Sequence, residues 1–246
     1  MLLIKKISSI SFRKSIEKEV DNPEHEWLEC CQHLEENILP IFRGKIRKDY
    51  SKSIEIKTIK IDEFEKETKF KFKKSPAVNE VTRIHVNTKY DIISPKKGEV
   101  QKEMIQFEGT AVQIPGVPDE KHISKVNLII DGNTINTDDL IKIKKSKNEI
   151  SNILVYEHKY KDHTHIEYEE ISYEHYTERV MTTKMKLLTK GIDIFIETDK
   201  PTRFTESLFA FDPNKCKIKK GKNSIHVTYD GFLIPKQGFS FFWDYI

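Results

Sequence analysis

Cysteine is scarce: only Cys30, Cys31 and Cys216 occur, and none of them forms a Cys-x-x-Cys pair. That excludes a disulfide framework and a paired-cysteine metal site, and it sets the expectation of a reducing, cytoplasmic location. Long apolar runs are missing too. Val126–Ile130 is broken by Asn127 and Phe239–Trp243 by Ser240, far short of the ~20 residues that a spanning helix needs. The apolar piece in Met1–Lys6 is too short for a signal-peptide core, so secretion is not expected. Charge of one sign is also lacking, because 42 basic residues face 39 acidic ones and leave +3. Such a balance gives no field for general nucleic-acid binding. Arginine is rare, at six positions against 36 lysines, a skew that points to an AT-rich genome and a bacterial or viral source. The sequence contains no Gly-x-Ser-x-Gly elbow, phosphate loop, dinucleotide glycine motif, His-Glu-x-x-His or EF-hand run, so no cofactor is expected.

The 246 residues are 33% charged and 37% hydrophobic, enough to bury a core beneath a polar surface. Up to about residue 50 the pattern is helical. Asn22-Pro23-Glu24 has the N-cap, first-turn proline and acid of a helix start, and Trp27, Leu34 and Ile38 then form one apolar stripe. The stripe is expected to dock on the rest of the chain or to make an oligomer contact. Cys30 and Cys31 lie on it as packing residues.

After Tyr50 the hydrophobic period falls from 3.6 to 2. Ile84, Val86, Tyr90 and Ile92 alternate with His85, Asn87, Lys89 and Asp91, the pattern of a strand with one wet face. The turn residues Ser94–Glu99 predict that 100–112 returns as its hairpin partner. Phe70/Phe72, Val126/Leu128/Ile130, Ile192/Ile194/Ile196 and Ile225/Val227/Tyr229 alternate in the same way. Two runs change phase, Ile54/Ile56 to Ile59/Ile61 and Ile166/Tyr168 to Ile171/Tyr173, which predicts bulges or bends. The C-terminal Phe239, Phe241, Phe242 and Trp243 are too aromatic to leave in water. The fold class read from this is mainly β, an antiparallel barrel or sandwich with bent strands after an N-terminal helical segment. The domain reading is helix over 1–50 and antiparallel sheet over 51–246, with Asp131-Gly132 and the lysine-rich stretch after it, near 131–149, as a candidate division into two β halves.

Two clusters carry the candidate chemistry. If Lys161-Asp162 is a two-residue hairpin loop, His158 faces His165 across ~5 Å, and His163 or Glu167 completes a candidate metal site. The solvated hairpin tip is the plainer reading, and no bound metal is expected. Lys215, Lys217, Lys219, Lys220 and Lys222 surround Gly221, a loop able to hold an anion through point charges and close backbone approach. Lysine guarding a sheet edge is the alternative there. These features point to a non-enzymatic cytosolic ligand- or protein-binding module. The first alternative is a metal-assisted hydrolase using His158, His163 and His165. The second is a sensor component of a bacterial defence or signalling system that recognises a small anionic or nucleotide ligand through the lysine loop.

Overall fold

The fold is that of a computed structural model, which describes residues 45–73, 78–94, 96–145, 149–175, 180–209, 213–235 and 237–246. The described residues fall within one compact unit, Arg43–Ile246. The expected N-terminal helix, with Trp27, Leu34, Ile38, Cys30 and Cys31, lies outside the described residues.

The elements in chain order are β1 (Ile46–Lys60), α1 (Ile61–Thr68), β2 (Glu80–Ile93), β3 (Val100–Val112), β4 (Ile123–Ile130), β5 (Asn133–Ile135), β6 (Ile141–Lys145), β7 (Glu149–Lys161), β8 (His163–Glu174), β9 (Val180–Lys184), β10 (Leu188–Thr198), β11 (Thr202–Phe209), β12 (Cys216–Lys220), β13 (Ser224–Leu233) and β14 (Gly238–Tyr245). Among the described residues no helix is long and apolar enough to cross a membrane.

The mainly β reading holds, whereas the closed antiparallel barrel does not. Eight strands form one open sheet in the order β12-β13-β10-β1-β2-β8-β4-β5, and two three-stranded sheets, β11-β14-β9 and β3-β7-β6, complete the second layer. The large sheet is mixed, because β1 runs parallel to β10 while its other neighbours are antiparallel. One core joins all three sheets, with Ile54, Ile92, Ile166 and Ile194 of the large sheet against Ile105 and Leu154 of one small sheet and Phe239, Phe241 and Trp243 of the other. Strands from both sides of 131–149 interleave in the large sheet, so that segment runs within the Arg43–Ile246 unit. Asp131 and Gly132, both at positive φ, make the two-residue turn between β4 and β5 that the sequence signals.

The phase changes have a different cause from the expected bulges. The pairing of β1 with β2 is continuous from Lys52 to Lys60, and that of β2 with β8 is continuous throughout. A second core instead forms on the opposite face of the large sheet, where Ile59, Val81 and Tyr173 meet Ile61 and Phe64 of α1. Apolar residues therefore switch phase where that face becomes covered, and Ile61 belongs to a helix rather than to a strand. Helix α1 carries Asp62 and Glu63 in its first turn and Lys66 in its last, as the helix dipole favours, and it ends at Lys69 in the left-handed region. Phe70 and Phe72 pack on this second core and form no strand. The strand region begins at Ile46 rather than after Tyr50. Two expected hairpins are absent as well. β3 pairs with β7 and not with β2, and β7 and β8, though consecutive, belong to different sheets.

Candidate ligand-binding cavity

A cavity of about 630 Å³ lies over the inner face of β1, β2 and β8, walled by β3 and β7 on one side and by β9 on the other. Val86 sits in the middle of the central strand β2, at a position in phase with buried Ile84 and Tyr90, yet it is only half-buried. It forms part of the cavity floor.

The sequence around Asp49 aims two cations into this space. Between the pairs Lys48–Asp91 and Ser51–Lys89 strand β1 holds one residue more than β2, a bulge with Asp49 at φ 51°. A single inserted residue reverses the facing of everything before it. Arg47 therefore aligns with Ile92 and shares the inner face with Lys52, aligned with Thr88, although the two are an odd number of residues apart. Asp tolerates the left-handed conformation better than most side chains, which suits it to the bulge.

The Arg47 guanidinium lies over the Tyr90 ring at 4.1 Å and the Tyr50 ring at 5.6 Å, and its buried Nε has no hydrogen-bond partner. Lys52 Nζ donates to Thr183 Oγ1 of β9 at 3.1 Å. Burial pushes the Lys52 ammonium down to about 8, against the opposing pull of the Glu170 carboxylate. Glu170 is itself 6% exposed. Its Oε2 accepts a hydrogen bond from Asn152 Nδ2 at 2.7 Å and another from the Tyr168 hydroxyl. Burial, and then the Glu170 charge, raise the Tyr168 phenol far above its ordinary range, so it stays a donor. Phe107 stacks on Tyr168 with centroids 3.9 Å apart and planes within 4°. Gly109 lets β3 approach this group, since a Cβ there would lie 2.5 Å from Asn152 Oδ1 and 3.0 Å from Glu170 Oε1. Along β2 the floor is polarised. Arg47 and Lys52 stand at the levels of Ile92 and Thr88, while Glu170 and Glu174 stand at those of Val86 and Thr82.

None of these residues is among the candidate site residues read from the sequence, where Tyr90 and Tyr168 figure only as strand positions. The signal was present, however: Lys52 is in phase with Tyr50, Ile54 and Ile56, and Glu170 with Ile166 and Tyr168, which makes each a charge on the apolar side of its strand.

The histidines lie elsewhere. Because β7 and β8 are not paired, His158 does not face His165 as the hairpin reading required. His158 Nε2 lies 3.7 Å from Asp131 Oδ2, while His163 and His165 share Asp91 at 3.3 and 2.6 Å, with Glu167 3.3 Å from His165. Among the described residues no three His, Cys, Asp or Glu side chains converge as a metal-binding set. Asp91, His163, His165 and Glu167 form an ion-pair cluster on the wet face of the large sheet, whereas His158 shares the inner side of β7 with Leu154 and Tyr160. The hydrogen bond to Asp91 raises the His165 pKa above 6.5 despite partial burial. Desolvation pushes Asp91 up, but the bonds from His165 and His163 outweigh it and hold the carboxyl below 3.8. His165 thus adds stability that is complete below its unfolded pKa and lost as pH rises through the raised value. Asp91 adds stability that is present above its own unfolded value and lost as pH falls through the depressed one. Asp91→Asn is expected to move the His165 titration to lower pH in an NMR pH series. An unmoved titration would rule out Asp91 as the cause.

The lysine segment is an edge strand rather than a loop. Lys217, Lys219 and Lys220 belong to β12, at one margin of the large sheet, with Lys215 just before it and Gly221 and Lys222 in the turn to β13. Lys220 pairs with Glu206 at 2.7 Å. Lys215 and Lys217 border a shallow depression that also contains Asp49, Asp193 and Asp230. Alternation along β12 puts Lys219 and Lys220 on opposite faces, so the lysines do not converge on one point.

No family model and no curated protein matches the chain. Among solved structures, it is similar to a candidate protease from Parabacteroides distasonis, with 10% identity and a TM-score of 0.41. The match covers 81% of this chain but only 40% of that one, so the chain spans less than half of that protein's length, and a likeness at this level carries no argument about function.

Proposed function

We propose that the chain is a non-enzymatic ligand-binding module whose site is the cavity over β1, β2 and β8. The observation that carries this reading is a lysine and a glutamate, half-buried Lys52 of β1 and buried Glu170 of β8, on the inner face of the large sheet to either side of β2, where withdrawing charge from water without a purpose is costly. The volume falls within the range of small-molecule sites, and the walls combine apolar surface with a few placed polar groups. Binding fits better than chemistry because Asn152 and Tyr168 already engage the Glu170 carboxylate, which fixes it in place instead of leaving it free as a base. The cavity is preferred to the lysine strand as the anion site because Lys220 is already ion-paired and the depression beside Lys215 and Lys217 contains three aspartates. Lysines on β12 then serve to block edge-to-edge pairing.

The reading is tested with a chemically broad set of small metabolites, screened by thermal shift and followed by calorimetry. Ala111 lines the cavity from β3. Ala111→Phe is expected to fill part of the space and weaken any hit at least tenfold while the circular dichroism spectrum is retained. Hits that bind the filled variant undiminished would place the ligand elsewhere, and no hit at millimolar concentration would count against a small-molecule site.

A further inference from the structure

The polarised floor narrows the chemistry of the occupant. Arg47 and Lys52 are brought together by the bulge at Asp49 and not by the plain strand period, and both line the cavity. Neither forms an ion pair within 4.0 Å with a described carboxylate. Lys52 has one neutral hydrogen-bond partner, the Thr183 hydroxyl, and the buried Nε of Arg47 has none. Cations half withdrawn from water call for a counter-charge, and the carboxylate on the floor beside them, Glu170, is turned to Asn152 and Tyr168. Glu174 stands still farther along, at the level of Thr82, where it makes contacts of its own. The lining as a whole is balanced, with Arg47, Lys52, Lys184 and Lys186 against Glu108, Glu149, Glu170 and Glu174, so the pull on an anion is local to the Arg47 and Lys52 end of the floor and suits a single negative charge.

Resting on the ligand-binding reading, we infer that the occupant is an organic carboxylate, its charged group held between the Arg47 guanidinium and the Lys52 ammonium, its carbon skeleton laid over Ile84, Val86 and Phe107. The half-exposed Val86 and the partly buried Phe107 are the apolar surface such a skeleton would cover. A guanidinium offers two parallel donors to a carboxylate, and the ammonium adds a point charge beside it.

Three probes with one ring system separate the possibilities: 2-naphthoate, 2-naphthamide and 2-naphthyl phosphate, titrated calorimetrically into the full chain at neutral pH and low salt. The carboxylate is expected to bind at least tenfold more tightly than the amide, and more tightly than the phosphate dianion. In Arg47→Gln and in Lys52→Gln that preference should vanish, with carboxylate affinity falling to the level of the amide. Unchanged amide affinity in both variants shows that they fold and keep the cavity. Binding of the amide as tightly as the carboxylate would overturn the inference and leave the cavity standing as a ligand site. A preference for the phosphate, or one for the carboxylate that survives both substitutions, would overturn it as well. Failure of all three probes to bind would also overturn it, and the metabolite screen then decides separately whether the cavity binds anything.

Discussion

Phe241→Ala is expected to lower the unfolding free energy by about 3–5 kcal/mol, the range for large aromatic truncations in a packed core. Phe241 is fully buried on β14 in the core that joins the three sheets, and its ring centroid lies 5.3 Å from that of Phe239. The next residue provides the control. Phe242 points the other way along the strand and is 43% exposed, so Phe242→Ala should fall within the surface range of about 0.5 kcal/mol. Urea unfolding of both variants measures the difference. Equal costs would mean that the strand's facing is misassigned and that the aromatic side of β14 does not close the core.

The second large effect is at Gly238, the first residue of β14 and opposite Lys184 in β9. A Cβ built there lies 1.9 Å from the Thr183 carbonyl oxygen and 2.9 Å from Lys184 Cα. Both obstacles are backbone, so relief requires β9 to move away from β14. Gly238→Ala is expected to destabilise by about 3 kcal/mol, at the upper end of ordinary overpacking. It should also disturb the cavity, because Thr183, which holds Lys52, is carried on the displaced strand. An alanine variant with the wild-type urea midpoint would contradict the close approach of these strands.

The sequence was most legible where a residue's partners are fixed by the pleat alone. The alternation of Ile84 to Ile92 is read from the period of 2 and the Asp131-Gly132 turn from its residue types, whereas the C-terminal aromatics signal burial without facing, since Phe239, Phe241 and Trp243 are buried and Phe242 is not. Strand partnership was not legible in the same way. β1 lies beside β10 with Ile46 against Leu188, a pairing that no local pattern signals, and the turn after β2 leads into another sheet where a local hairpin looked natural. The doubled core was misread for a related reason: a change of phase looks the same whether a strand bends or its second face becomes covered. The candidate site does not show in the abundance of charged residues. Lys52 and Glu170 were meaningful for their phase, being the charges that alternate with apolar neighbours instead of with other charges. The bulge that adds Arg47 to them rests on Asp49 adopting a positive φ, a choice made by tertiary pairing and not by composition.

The most direct measurement is a crystal structure of the full chain with the tightest-binding hit from the metabolite screen. The account predicts density over Ile84 and Val86, with a polar group of the ligand within hydrogen-bond distance of Lys52 Nζ. A ligand bound along β12, at the Asp91 histidine cluster or anywhere else outside the cavity, with the space over Val86 unchanged, would contradict it.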